Sequence, residues 1–327
     1  MKKKLQVSIC FNKNADISFI AGDVFQKIKS LPDNSINLVV TSPPYNLNKE
    51  YEEKKAFDFY LNEMRELLFE IKRVLKKNGS VCWQVGNYLS GKGDSTEIVP
   101  LDIKFYDLFK DLDFKLRNRI IWHFRSGFHA KKRLSGRYET MLWFSKSEDY
   151  TFNLDPIRVW QKYQGKTHYR GDKKGKLSGD PKGMNPSDFW DESQKLSSEY
   201  EEGIWDFPNV KANHPEKTSE HPCQFPIELA ERCIKAFSNE GDMVLDPFAG
   251  VGTTLIAAVK SNRKAVGYEL EKKYISSGKK RIRRLENGKL PYRKMGRKIQ
   301  NASGKVAKPV FEERNSRKKS RPLKKKV

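Results

Sequence analysis

Apolar positions along the chain fall into two repeating textures. Short aliphatic runs, Ser18–Ile20, Ile36–Val40, Ser80–Val85, Met243–Leu245 and Ala265–Tyr268, predict strands. Ile36-Asn37-Leu38-Val39-Val40 is apolar on both faces, as expected of a parallel strand covered on each side. Longer segments carry apolar residues at helical spacing. Phe57–Leu75 is the clearest, with Phe59, Leu61, Met64, Leu67, Leu68, Ile71, Val74 and Leu75. Lys76-Lys77-Asn78-Gly79 reads as its cationic end and C-terminal glycine. Val24–Leu31, Ile103–Leu112, Pro226–Phe237, Thr253–Ser261 and Tyr274–Leu285 also predict helices. Leu116–Phe124 and Tyr138–Phe144 predict the last strands of the first half, joined by the basic loop Arg125–Arg137.

Strands alternate with helices in both halves, which predicts an α/β fold: one mostly parallel sheet with helices on both faces. The texture changes after Lys146, where residues 147–220 are rich in Gly, Pro, Lys and aromatics with weak periodicity. The simplest organisation assembles the sheet from 1–146 and 221–286. Residues 147–220 are then an insert and 287–327 a basic, disordered tail.

Charge narrows the function. The formal net charge is +23, which implies a polyanionic partner. The excess is uneven: Arg281–Val327 holds 18 Lys and Arg against three acidic residues. Part of the excess therefore lies in a tail whose composition also fits a solvated end. Cys10, Cys82, Cys223 and Cys233 show no CxxC pairing, so neither a disulfide framework nor a zinc site is expected. No apolar run approaches a membrane span and no signal peptide is evident, which predicts a cytoplasmic protein and no membrane partner.

Two segments carry chemistry. Met243-Val244-Leu245-Asp246-Pro247-Phe248-Ala249-Gly250-Val251-Gly252-Thr253-Thr254 reads as a strand, a tight glycine turn and a helix start that Thr253 or Thr254 can cap. Glu269 ends the next strand, where nucleoside-binding α/β folds grip ribose hydroxyls. The loop lacks the third glycine of GxGxxG. A carboxylate beside it, Asp246, would repel a diphosphate but welcome an ammonium and a sulfonium. Thr41-Ser42-Pro43-Pro44-Tyr45 follows a buried strand and so lies at a carboxyl edge of the sheet. Ser42 and the Pro43 carbonyl offer acceptors for an exocyclic amine, the Pro43–Pro44 pair stiffens the turn, and Tyr45 offers a flat face.

Together these two motifs resemble the DNA amino-methyltransferases. The catalytic motif precedes the glycine loop, which looks like the circularly permuted β class with its S-adenosylmethionine-dependent, Rossmann-like fold. Gly22-Asp23 and His221-Pro222-Cys223-Gln224-Phe225-Pro226 match further segments in order. The resemblance covers about residues 17–145 and 219–285. It implies that Asp23, Phe225, Asp246, Pro247, Phe248, Gly250, Gly252, Thr253 and Glu269 bind S-adenosyl-L-methionine. It implies also that Ser42, Pro43, Pro44 and Tyr45 hold a base extruded from double-stranded DNA. No metal is required.

In that family Ser before Pro-Pro-Tyr leans toward N4 of cytosine, and Asp or Asn toward N6 of adenine. The expectation is N4-cytosine, with N6-adenine as the alternative. An RNA amino-methyltransferase and a non-catalytic DNA-binding factor are weaker readings. Pro222-Cys223-Gln224 also matches the nucleophile motif of C5-cytosine methyltransferases, but it precedes the glycine loop and lacks a Glu-Asn-Val partner. Cys223 is therefore expected to be a packed thiol.

Arg125, Lys131, Lys132 and Arg133 in the basic loop, with Lys162, Lys166 and Arg170 in the insert, are the candidate DNA contacts. Trp190 and Trp205 are expected in a small local core of the insert. A cognate restriction endonuclease is a possible partner; oligomeric state is not legible.

Overall fold

The aliphatic runs are continuous because both faces of the sheet they form are covered. The computed structural model describes residues 4–47, 55–91, 97–124, 130, 132–159, 161, 163, 165–191, 210, 214–218 and 221–293. Among them the strands are β1 (Val7–Ser8), β2 (Ile17–Ala21), β3 (Ile36–Thr41), β4 (Leu75–Val85), β5 (Asn87–Ser90), β6 (Glu97–Pro100), β7 (Lys115–His123), β8 (Tyr138–Ser145), β9 (Phe189–Trp190), β10 (Met243–Asp246) and β11 (Lys264–Glu269). Nine of these form one sheet in the order β1-β2-β11-β10-β3-β4-β8-β7-β9, and β5 and β6 form a separate antiparallel pair. Neighbours in the large sheet are parallel except where β8 lies antiparallel to β4 and β7. The late strand β10 thus sits between β11 and the early strand β3.

Alternate residues of each strand feed two cores. Leu38, Val40, Val244 and Ala265 pack with α4 (Ile227–Phe237), α5 (Thr253–Lys260) and α6 (Lys272–Glu286). Val39, Leu245, Val266 and Trp83 pack on the other face with α1 (Val24–Lys27), α2 (Phe57–Val74) and α3 (Leu101–Asp111). The buried stripe of α2 is Tyr60, Met64, Leu67, Leu68, Ile71 and Val74, the helical spacing of the sequence. Full burial of one such side chain contributes about 1.5–3 kcal/mol. Among the described residues no helix is long and apolar enough to cross a membrane.

Four expectations need correction. First, α2 does not end on a glycine cap. It passes directly into β4 at Leu75, whose backbone is already extended, and Lys76–Gly79 belong to the strand. Gly79 answers a need for space, beside the register shift between Ile36 and Leu38. A Cβ there would stand 2.6 Å from Leu75 Cγ and 2.9 Å from the Asn37 carbonyl oxygen.

Second, Trp190 is buried in the main core, not in a local core of the insert. Its strand β9 extends the large sheet beside β7, and the buried Arg232 guanidinium lies 3.9 Å over its ring. Trp160 and Trp205 lie outside the described residues. Third, the chain stays packed beyond residue 287. Leu290 and Arg293 are buried, and Arg293 pairs with Glu228 at 2.7 Å. An ion pair buried this deeply must be kept whole, since removing one partner strands the other. Residues 294–327 lie outside the described residues. Fourth, Cys223 is exposed, not packed; the buried thiols are Cys82 and Cys233.

Gly79→Ala forces Leu75 or the β3 backbone to move and is expected to destabilise the fold by about 1–3 kcal/mol. Gly136→Ala, where a Cβ meets nothing within 4 Å, is the control and leaves stability nearly unchanged. Urea midpoints of the two variants check this; equal midpoints would refute the packing argument.

Candidate active site

The carboxyl ends of β2, β3, β4, β10 and β11 lie along one edge of the sheet, and antiparallel β8 starts there. The loops leaving this edge enclose a cavity of about 1060 Å³. Each chemical motif therefore reaches the cavity because its strand ends beside it. This edge is where open α/β sheets bind ligands.

One group of lining residues surrounds the glycine turn. Asp23, Phe25, His221, Phe248, Gly250 and Glu269 all face the cavity. Asp23 Oδ1 accepts the Phe25 backbone N–H at 3.0 Å, capping α1. Phe25 meets Phe248 edge-on, with ring centroids 6.4 Å apart. Gly250 adopts φ 53°, and a Cβ on it would lie 2.9 Å from His221 Nε2. The close ring contact and the left-handed backbone both call for glycine there. Glu269 Oε2 accepts the Gly250 N–H at 2.8 Å, and its Oε1 accepts the Glu271 N–H at 2.7 Å.

Asp246 is not on the cavity wall. It is buried beneath the turn, where Oδ1 accepts from Thr41 Oγ1 at 2.7 Å and from the Phe248 N–H at 3.1 Å. Burial pushes its carboxyl up to about 6, opposed by the hydrogen bonds from Thr41 and the Phe248 N–H. Burial likewise raises Glu269 to about 6. His221 moves the other way, to about 4, through burial and then the positive charges of Arg281, Lys217 and Lys273. It is neutral at physiological pH, and its Nδ1 accepts the Cys223 N–H at 3.1 Å.

The threonines do not cap α5, as the sequence suggested they could. Gly252, at φ 77°, is the N-cap residue and no side chain bonds the first turn. Thr253 Oγ1 instead accepts from Arg281 Nη1 at 3.1 Å, and Thr254 Oγ1 donates to the Val40 carbonyl at 3.2 Å. Arg281 Nη1 also holds the Val251 carbonyl at 2.8 Å. α6 therefore fixes the glycine turn from behind.

The second group surrounds the proline turn, with Ser42, Pro43, Pro44 and Tyr45 all on the cavity wall. Tyr60 of α2 donates its hydroxyl to the Pro44 carbonyl at 2.8 Å. Ser42 Oγ lies 3.1 Å from Tyr45 Oη. Two residues not anticipated from the sequence join them: Gln84 from β4 and Glu139 from β8. Gln84 Nε2 donates to Tyr45 Oη at 3.1 Å and also to Glu139 Oε2. A polar residue inside the apolar run Ser80–Val85 was a usable signal for Gln84. Glu139 had none, because only the antiparallel insertion of β8 brings it to this edge.

Of the other candidates, Phe225, Pro247, Thr253 and Arg133 also line the cavity. Lys132, Lys166 and Arg170 are exposed and are not among its lining residues. Lys166 and Arg170 belong to a small turn-rich segment of the insert in which Ser178 N donates to the Lys166 carbonyl at 2.8 Å. Arg125, Lys131 and Lys162 lie outside the described residues. Among the described residues no cluster of His, Cys, Asp and Glu could hold a metal ion.

A mostly parallel sheet with one reversed strand, a glycine turn at its edge and an adjoining proline turn define a methyltransferase-like α/β protein. The chain belongs to the DNA methylase family, whose N6_N4_Mtase model matches residues 36–280. It is 46% identical over 254 residues to the type II methyltransferase M.BglII of Bacillus subtilis, covering 78% of this chain and 65% of that enzyme, just under two thirds of its length. It is 35% identical over 273 residues to the DNA adenine methyltransferase YhdJ of Escherichia coli, covering 81% of this chain and 82% of that one. A candidate DNA modification methylase of Thermus thermophilus, solved with S-adenosyl-L-methionine, matches with TM-score 0.55 and 27% identity over 82% of this chain and 93% of that one. The cytosine-N4-specific PvuII DNA methyltransferase matches with TM-score 0.60 over 88% of this chain and 95% of that one; at 19% identity it speaks for the fold alone.

S-adenosylmethionine is the cofactor of this family, and the cavity suits it. Apolar rings of Phe25 and Phe248 stand beside the carboxylates of Asp23 and Glu269, which complement hydroxyls and positive charge. The buried Asp246 charge gives a test. Its carboxyl is raised from 3.8 to about 6, so ionisation weakens the fold as pH rises through that window and costs nothing below about 3.8. The uncharged Asp246→Asn lacks this cost. Its stability relative to the parent protein should improve from pH 4 to pH 6, by on the order of 3 kcal/mol, and stay level above. Urea unfolding across pH reads the difference; a flat difference would show that the carboxyl is not strained by burial.

Proposed function

We propose that this chain is a site-specific DNA methyltransferase that acts on the exocyclic amine of a flipped base, most specifically N4 of cytosine. The observation that carries the reading is the Ser42–Tyr45 turn on the wall of the same cavity as the glycine turn. Ser rather than an acidic residue precedes Pro-Pro-Tyr, which favours cytosine. The order of the two motifs along the chain favours the permuted β class.

Asp23, Phe225, Pro247, Phe248, Gly250, Thr253 and Glu269 would hold the cofactor, with Asp246 and Gly252 shaping the turn from beneath. S-adenosylmethionine supplies an electrophilic methyl group on a sulfonium. Ser42 Oγ and the Pro43 carbonyl accept the two amine hydrogens and so localise a lone pair that the ring otherwise delocalises. Tyr45 stacks on the base, a contact worth about 1–3 kcal/mol. Held there, the cofactor would supply a methyl group for direct attack by the amine, the carbon–sulfur bond breaking and the amine proton leaving to solvent, without a covalent enzyme intermediate. Base extrusion is required because the amine is inaccessible within the stack.

Arg133 at the cavity mouth, with Lys132, Lys166 and Arg170 on the surface, would meet DNA phosphates. Residues 147–220 would carry target recognition, and a cognate restriction endonuclease would be the functional partner. One observation favours a second reading, N6-adenine methylation: the 35% identity to a DNA adenine methyltransferase.

Reaction with methyl-labelled cofactor followed by nucleoside analysis separates the two. The expected product is N4-methylcytosine; N6-methyladenine would support the second reading, and label in RNA alone would overturn both. Ser42→Ala should slow methyl transfer on the order of a hundredfold with cofactor affinity unchanged. Cys223→Ser should stay active. A dead but folded Cys223→Ser enzyme would restore thiol chemistry.

A further inference from the structure

The wall around Ser42 contains two polar side chains, Gln84 and Glu139, that the reaction above does not use. Tyr45 Oη lies 3.1 Å from Ser42 Oγ, 3.1 Å from Gln84 Nε2 and 3.5 Å from Glu139 Oε2. Gln84 Nε2 also bonds Glu139 Oε2. Gly86 leaves these groups their room, since a Cβ on it would come within 3.1 Å of the Tyr45 ring and 3.5 Å of Glu139.

Counting hydrogens orients this polar chain. An amide nitrogen only donates, an ionised carboxylate only accepts, and a phenol has one hydrogen to give. Tyr45 receives the Gln84 hydrogen and gives its own to Glu139. The Ser42 hydrogen then turns toward Tyr45, and the Ser42 lone pairs face the cavity. We propose that Glu139 is a positioning residue that makes Ser42 an acceptor for the target amine, acting through Tyr45. The proposal rests on the role given to Ser42 above.

Glu139→Gln tests it with little change of shape. With its oxygen turned to the Gln84 N–H, the new amide donates to Tyr45, whose hydrogen then turns on Ser42. The Ser42 hydrogen in turn meets the target amine, donor against donor. The assay is single-turnover methylation by the full chain, at saturating S-adenosylmethionine, of duplex DNA containing the site found by product analysis. E139Q should be about tenfold slower or more, with cofactor affinity by calorimetry and DNA affinity unchanged.

E139D keeps a group that only accepts and should retain more rate than E139Q. Tyr45→Phe cuts the same chain, so the E139Q/Y45F double variant should be no slower than Y45F. A merely structural Glu139 would give effects that multiply. A parental rate for E139Q, multiplying effects, or E139D slower than E139Q would each overturn the assignment. Ser42→Ala separates the two layers. If it is slow while E139Q is not, only the role of Glu139 falls; if it keeps full rate, the amine-acceptor reading falls as well.

Discussion

Val244 and Leu245 pair with Leu38 and Val39, and the rest of the site depends on that short parallel ladder. It joins strands from opposite ends of the chain and sets their ends side by side. Just past the ladder, Thr41 Oγ1 donates to Asp246 Oδ1 at 2.7 Å across a separation of 205 residues. The proline turn leaves from Thr41 and the glycine turn leaves from Asp246. Both turns therefore open into one cavity because of a single strand register. A slip of one residue would exchange the faces of the strand and bury the wrong side chains.

The same junction concentrates electrostatic cost. Asp246 and Glu269 are held where burial raises each carboxyl to about 6, while nearby Arg281 is buried as well. A core designed only for stability would not place two strained carboxyls around one turn. In the proposed function Glu269 faces the cofactor across the cavity wall and Asp246 holds the glycine turn from beneath, so the cost in the free protein is met by a turn shaped for binding. The surrounding frame supports this local strain through Arg281, which fixes the turn from α6, and Tyr60, which fixes the proline turn from α2.

Much of the frame was legible because its signals are local. The doubly apolar strands, the stripe of α2 and the two motifs can be read from neighbouring residues. The parts that were missed depend on distant contacts. Gly79 resembles a helix cap in sequence, but Leu75 and the Asn37 carbonyl across the sheet decide its role. The basic composition past residue 287 suggests a free tail, yet Arg293 finds a buried partner in Glu228. Glu139 sits in an ordinary strand, and only β8 running antiparallel beside β4 delivers it to Tyr45. Burial of Trp190 needs Arg232 from a helix that comes after the insert.

In the proposed function one cavity at this edge holds both the methyl donor and the target amine. A crystal structure of the chain with duplex DNA containing its target and an unreactive cofactor analogue tests that claim most directly. The analogue is expected against Phe248 and Gly250, and a flipped base with its amine within hydrogen-bonding distance of Ser42 Oγ and the Pro43 carbonyl. A base bound away from the proline turn, or an analogue outside the glycine turn, would contradict it.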